Sequence, residues 1–313
     1  MLGRKKTRRK KESGIQPDVY LGELCEYADS EVKTEQLTES KAVTQQLPKN
    51  KKAPGTSSYR SYIVEAGTAS IIGSRKSQQD SVFAYASGAQ ALGIVCDGMG
   101  GLAGGETASR IALESLADAW FAVGTIPDIP AFFRSEAVSA DQKVYSQKDA
   151  HGARMQAGTT MVAAIVQQGG LYWLSVGDSK LYFIRGQEIL SLNVEHNYRM
   201  ELNALLRQGR LTAQEYAAEE YRAEALTSYL GIGDISVMDV SPRAYPLTDG
   251  DIILLASDGL YRSLHEEEIL AIVQKNSQDM QKAAQALTAA VSGRKKQDNT
   301  SVVIMRYTME KLR

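Results

Sequence analysis

From Tyr59 onward the chain is built of short apolar runs separated by Gly/Asp turns. They are Tyr62 to Ile72, Ser81 to Ala84, Ala91 to Cys96, Thr159 to Val166, Leu171 to Val176, Leu181 to Ile184, Ser236 to Val240, Asp251 to Ala256 and Thr300 to Tyr307. Runs rich in β-branched and aromatic residues and bounded by turn formers predict strands. Apolar positions recur instead at three- and four-residue spacing in Gly105 to Phe121, Ile129 to Gln147, Tyr198 to Gln208, Thr212 to Glu219, Glu266 to Lys275 and Met280 to Val291, which predicts helices. Thr212 and Glu215 have capping-box spacing at one of these starts. Strands in hairpin-like pairs, with paired helices between them, predict an α+β layered domain rather than βαβ alternation. No fixed-period repeat is present.

The first 55 or so residues carry neither period, are rich in Lys, Glu, Gln, Ser and Thr, and close on the breaker APGTSS. Residues 1–55 are therefore expected to be a disordered tail, and residues 56–313 a single folded domain. The 313-residue length is enough to bury a large core. With 43% hydrophobic and 23% charged residues, the chain is neither collagen-like nor wholly disordered. Its longest aliphatic stretches fall far short of the roughly 20 residues of a spanning helix.

Charge is unevenly distributed. Residues 4–11 (RKKTRRKK) carry seven positive charges, and the chain through Ala53 holds 12 basic and 8 acidic residues. The body is left with 24 basic and 29 acidic residues, which argues against nucleic-acid binding by the folded part. The basic run is followed by no apolar segment, so no signal peptide is expected, and Leu2 excludes the glycine that myristoylation needs. A solvated tail is the reading from composition, with a membrane-surface or nucleic-acid tether as its alternative. Two cysteines, Cys25 and Cys96, make no disulfide framework, consistent with a cytoplasmic location. His151, His196 and His265 lie too far apart in sequence for a local metal pair.

Candidate chemistry lies in five acids at strand ends. Asp97 (LGIVCDGMGG), Asp178 (LYWLSVGDS) and Asp258 (DIILLASDG) each follow an apolar run, whereas Asp80 and Asp298 each precede one. A single Asp in such a place is ordinarily a turn residue or a helix cap. Five of them, if they converge, repel one another and call for cations. An all-oxygen donor set without His or Cys selects hard ions such as Mg²⁺ or Mn²⁺. Two such ions sharing a carboxylate lower the pKa of a water and aim it at an electrophile. Gly98, Gly100 and Gly101 after Asp97 predict a sharp strand-to-helix passage in which the Gly98 carbonyl can serve as a ligand. The string GMGGLA imitates a dinucleotide fingerprint, but Asp97 would face the pyrophosphate and no second acid-ended strand follows about 20 residues later. No GK[ST] follows the glycines, which excludes a P-loop.

The series SRKSQQD, DGMGG, AGTT, VGDS, ASDGL and DNTSVV, in this order from about Tyr59 to Tyr307, resembles the type 2C metal-dependent protein serine/threonine phosphatases (PPM), in their bacterial form. The resemblance implies a four-layer α-β-β-α sandwich with two central antiparallel sheets and a binuclear centre in a cleft at one end. It implies two Mn²⁺ or Mg²⁺ ions on Asp97, Asp258, Asp298 and the Gly98 carbonyl, with Asp80 acting through water. Asp178 with Asp258 resembles the pair that holds a third, weaker ion. Arg75 stands at the phosphate-binding arginine, so Arg75, Asp97 and Asp258 are the implied catalytic set. The implied reaction is hydrolysis of phosphoserine and phosphothreonine in proteins by a hydroxide bridging the two ions, in line and without a phosphoenzyme. The implied partners are phosphorylated proteins and an opposing Ser/Thr kinase. Gly158, Thr159 and Thr160 resemble a packing turn without chemistry, and His196 in VEHNY a structural turn.

Two positions depart from the family pattern. Gln79 replaces an acid, and Met99 follows Gly98 where no histidine stands in a motif matching the proposed leaving-group acid. Residues 197–234 resemble a flap beside the site, the alternative being an ordinary helical connection. Two rival functions differ in kind. A haloacid-dehalogenase-type phosphatase needs a DxDx[TV] loop, which is lacking. A silent, phosphatase-like binding module would ordinarily have lost the carboxylates present here.

Overall fold

The computed structural model describes residues 61–101 and 104–310. The expected tail and its boundary near residue 55 lie outside the described residues. In chain order the elements are β1 (Tyr62–Ile71), β2 (Asp80–Ser87), β3 (Gln90–Gly100), α1 (Gly104–Val123), α2 (Ile129–Tyr145), β4 (Ala157–Thr159), β5 (Met161–Gln167), β6 (Gly170–Val176), β7 (Lys180–Arg185) and β8 (Glu188–Ser191). They continue with α3 (Tyr198–Arg207), α4 (Ala213–Glu219), a 3₁₀ turn (Glu220–Arg222), β9 (Asp239–Val240), β10 (Tyr245–Pro246), β11 (Asp251–Ala256), α5 (Asp258–Tyr261), α6 (Glu266–Lys275), α7 (Met280–Ser292) and β12 (Thr300–Met309).

Two antiparallel sheets stack face to face. One has the order β1-β12-β11-β7-β8, the other β10-β6-β5-β3-β2, with β4 pairing β3 and β9 pairing β6. Alternation along the central strands sends side chains to two different cores. In β11, Ile253 and Leu255 meet Val95, Val162 and Val303 between the sheets, whereas Ile252, Leu254 and Ala256 face Leu260, Ile269 and Leu287 of the helical layer. In β3, Leu92, Ile94 and Cys96 face α1 and α2 through Ala112, Leu116 and Phe133. Three buried clusters thus define the expected four layers, and they explain why these antiparallel strands read as unbroken apolar runs: both of their faces are covered.

Local signals hold where the chain caps itself. Asp128 Oδ1 accepts the Ala131 N–H at 3.0 Å to start α2. Glu215 accepts the Thr212 N–H at 2.9 Å while Thr212 Oγ1 accepts the Glu215 N–H at 3.2 Å, the capping box anticipated for α4. Elsewhere the structure corrects the sequence reading. The run from Thr159 breaks at Thr160, giving β4 and β5, and the run from Ser236 keeps only Asp239 and Val240 as strand. The edge strand β8 (EILS) has only two apolar residues, and β10 and α5 are shorter still or as short, so none of them shows a period. Asp97 and Gly98 do not lie in a turn: β3 runs on to Gly100 because Gly98, Met99 and Gly100 pair with Thr159, Gly158 and Ala157.

Candidate active site

Antiparallel order brings the acids together. In such a sheet the end of one strand lies beside the start of the next, so β3 reaches Asp97 where β2 begins at its register partner Asp80. In the other sheet β11 ends at Ala256, which pairs with Lys180 at the start of β7 and with Val302 near the start of β12. Asp258, Asp178 and Asp298 flank those three positions in sequence. An open cleft of about 360 Å³ at this end is lined by Asp97, Asp178, Glu224, Asp258 and Asp298 against, among the described residues, two cationic side chains, Arg75 and Arg262. Of the acids expected in the site, only Asp80 is not among the lining side chains.

Asp97 is fixed through its backbone. Its N–H donates to Thr160 Oγ1 at 3.0 Å, and its carbonyl accepts from the Thr160 N–H and from Thr159 Oγ1, both at 2.9 Å. Thr160 Oγ1 in turn meets Ser179 Oγ at 2.7 Å, beside Asp178. The AGTT stretch, expected only to pack, therefore aims Asp97 at the cleft. Gly98 is required by crowding: a Cβ there would stand 2.1 Å from the Gly105 carbonyl oxygen and 2.5 Å from that of Gln79. Its N–H donates to the Gln79 carbonyl at 3.2 Å.

Arg75 rides on a loop stitched to the start of β12. Asn299 donates to the Ile72 carbonyl at 2.9 Å and to the Ser77 carbonyl at 3.1 Å, and accepts the Gln79 N–H at 2.9 Å. Arg75 itself pairs with Asp298 while 61% of its side chain stays exposed, leaving guanidinium donors free to face the cleft. The structuring part of Asn299 is invisible in sequence, where it reads only as a neighbour of Asp298.

Asp80 sits under the cleft wall. Ser257 Oγ donates to its Oδ2 at 2.8 Å, and its buried Oδ1 has no hydrogen-bond partner. Burial pushes this carboxyl up to about 6, aided by the charges of Asp258 and Asp298 and opposed by hydrogen bonds from Ser301 and Ser257. Burial likewise raises Asp178 to about 6, with Asp258 adding to the rise, and holds Asp97 well above the usual carboxylate range together with the charges of Asp80 and Asp258. Asp258 is raised by burial against the pull of Arg262. His196 has a structural part: its Nδ1 accepts the Gly177 N–H at 3.1 Å and its own N–H donates to the Gly177 carbonyl at 2.8 Å, holding the turn before Asp178.

This donor set fits divalent cations. Four aspartate carboxylates share a cleft with too few positive charges, the buried Asp80 beneath its wall has an orphaned oxygen, and no histidine or cysteine among the described residues lines it. Among the described residues no three acidic, His or Cys side chains by themselves form a closed metal-binding group. The acids are instead spread over an open cleft, the arrangement of hard ions that keep several waters and take one or two carboxylates each.

The raised Asp80 carboxyl has a consequence for the chelated protein. Its proton is held more tightly in the folded chain, at about 6, than at the ordinary 3.8. Its stabilising contribution is therefore complete below the lower value and lost as pH rises through the upper one. Between about pH 5 and pH 7.5, metal-free wild type should lose a few degrees of Tm relative to Asp80→Asn. Parallel Tm-versus-pH curves in calorimetry would contradict this.

The same cleft and fold define a known class. A family model described as Protein phosphatase 2C matches residues 68–292. The chain belongs to the protein phosphatase 2C family. Among its relatives, a serine/threonine phosphatase of Listeria welshimeri is 30% identical over 229 residues, covering 71% of this chain and 87% of that protein. A solved PPM Ser-Thr phosphatase from Mycobacterium smegmatis, in complex with cacodylate, superposes with a TM-score of 0.62 at 30% identity over 78% of this chain and 98% of that one. The catalytic domain of the phosphatase PstP, solved with two manganese ions, superposes with a TM-score of 0.65 at 24% identity over 79% of this chain and 99% of its own. Among the described residues no helix is long and apolar enough to cross a membrane.

Proposed function

We propose that this member of the phosphatase 2C family removes phosphate from phosphoserine and phosphothreonine in proteins, using Mn²⁺ or Mg²⁺ held in the cleft. The observation that carries the reading is the convergence of Asp97, Asp178, Asp258 and Asp298 at one end of two sheets, with Arg75 among them. In this reading Asp97, Asp258, Asp298 and the Gly98 carbonyl hold two ions, and Asp80 supports one of them through water. Bound divalent cations supply Lewis acidity toward the phosphoryl oxygens and lower the pKa of water.

The chain's own groups bind and orient. Arg75 offers a planar fork of donors to the phosphate dianion from the exposed rim, and Asp298 restrains its swing. No histidine among the described residues lines the cleft, so the proton for the leaving serine or threonine oxygen comes from water or from another donor than imidazole. Residues 197–234 border the cleft through Glu224 and Leu226, within reach of the peptide that flanks a phosphorylated residue. The partners in this reading are phosphoproteins, including the targets of an opposing Ser/Thr kinase, in a signalling role in the cytoplasm.

Arg75→Ala tests the assignment. KM for a phosphothreonine peptide should rise by about tenfold or more with a smaller fall in kcat, because the ground-state clamp is lost while the carboxylate set stays intact. An unchanged KM would remove Arg75 from the phosphate site. Absence of peptide hydrolysis by wild type under every divalent ion tried would overturn the proposal itself.

A further inference from the structure

Arg262 was not anticipated from the sequence. It follows Asp258 by one helical turn, and its Nε lies 3.1 Å from Asp258 Oδ2, while its Nη2 lies 3.0 Å from Glu224 Oε2 and 3.7 Å from Asp178 Oδ2. Asp178 and Asp258 are largely buried, with side chains 7% and 15% exposed. Glu224 belongs to the helical segment 197–234, and its other oxygen, Oε1, accepts from Arg199 Nη2 at 2.6 Å and Nε at 3.1 Å. One guanidinium therefore bridges the two outer carboxylates of the cleft and, in the same position, reaches an acid of the segment, which is itself tied to that segment's first helix α3.

These carboxylates are the pair that a cation in the outer cleft would use, and they already have a tethered one. We propose that Arg262 holds Asp178 and Asp258 in place of a further divalent ion and fastens segment 197–234 to the cleft through Glu224, so that outer-cation binding and fastening of the segment compete. The inference rests on the metal-dependent reading above. A divalent ion entering between Asp178 and Asp258 meets a like charge within about 4 Å, a repulsion that at a half-exposed site weakens its binding by about tenfold or more. It binds only when the guanidinium swings out, and that movement separates Arg262 from Glu224. Arg262 acts here as a positioning residue, coupling the ionic state of the cleft to the segment that borders it.

Mn²⁺ titration of the full chain, followed by the electron paramagnetic resonance signal of free Mn²⁺, counts the bound ions in wild type and in Arg262→Gln. Trypsin cleavage within residues 207–222 reports on the segment. Wild type should bind two ions tightly and a third weakly. Arg262→Gln should tighten the third by about tenfold or more and raise cleavage severalfold, and saturating Mn²⁺ should raise cleavage in wild type. Glu224→Gln should raise cleavage and tighten the third ion by a smaller factor, because the swing of Arg262 no longer breaks its pair with Glu224. Two tight ions in wild type with the third unmoved by Arg262→Gln, or equal cleavage in all three proteins, would overturn this proposal alone. No tight ion in wild type would overturn the metal-dependent reading beneath it. Should Arg262→Gln fail to fold by circular dichroism, Glu224→Gln and wild type at saturating Mn²⁺ decide the matter by cleavage: a rise in both supports the coupling, and no rise overturns it.

Discussion

Asp258→Asn should lower kcat toward a phosphothreonine peptide by roughly a thousandfold or more, the factor that corresponds to about 4 kcal/mol of lost transition-state stabilisation. The side chain is 15% exposed and faces Arg262 at 3.1 Å. Replacing an anionic oxygen by an amide keeps volume and shape, so the loss should fall on cation binding and charge compensation rather than on folding. Burial raises the Asp258 carboxyl, so a neutral amide removes a cost from the metal-free fold. The chelated variant should therefore melt no lower than chelated wild type. Activity within tenfold of wild type at saturating Mn²⁺, or a variant that unfolds, would count against the part given to Asp258.

Gly98→Ala should act the other way, on the fold first. A single methyl would stand 2.1 Å from the Gly105 carbonyl oxygen and 2.5 Å from that of Gln79, both backbone atoms with no flexible side chain to yield. Separating β3 from the start of α1 to make room should cost about 3 kcal/mol or more and displace Asp97 from its threonine bonds. A Tm lowered by about ten degrees or more, or insoluble protein, is the expected outcome. A wild-type Tm would mean that the approach between Gly98 and Gly105 is looser than the structure has it.

The sequence made the strands and the acids legible for one shared reason. Strands covered on both faces become continuous apolar runs such as IILLA and VVIM, and an acid interrupting such a run stands out. It could not convey which threonines would brace Asp97, because their bonds to residues some 60 positions away arise only when β4 meets the extended end of β3. Asp80 was legible as an acid at a strand start, yet its depth was not: whether it lines the cleft or lies beneath it depends on Ser257 reaching across from the other sheet. Arg262 and Glu224 read as ordinary surface charges for the same reason, since their pairing joins residues 38 apart through a segment whose path no local pattern fixes.

The central claim is that carboxylates gathered at one end of the sandwich make phosphate-ester hydrolysis depend on divalent cations. Chelator-treated full-length protein, assayed on a phosphothreonine peptide before and after Mn²⁺ is restored, tests it most directly. The account predicts that hydrolysis vanishes with the chelator and returns with Mn²⁺ in wild type, and that it does not return in Asp97→Asn. Hydrolysis that persists in the chelated protein, or that returns equally in Asp97→Asn, would contradict it.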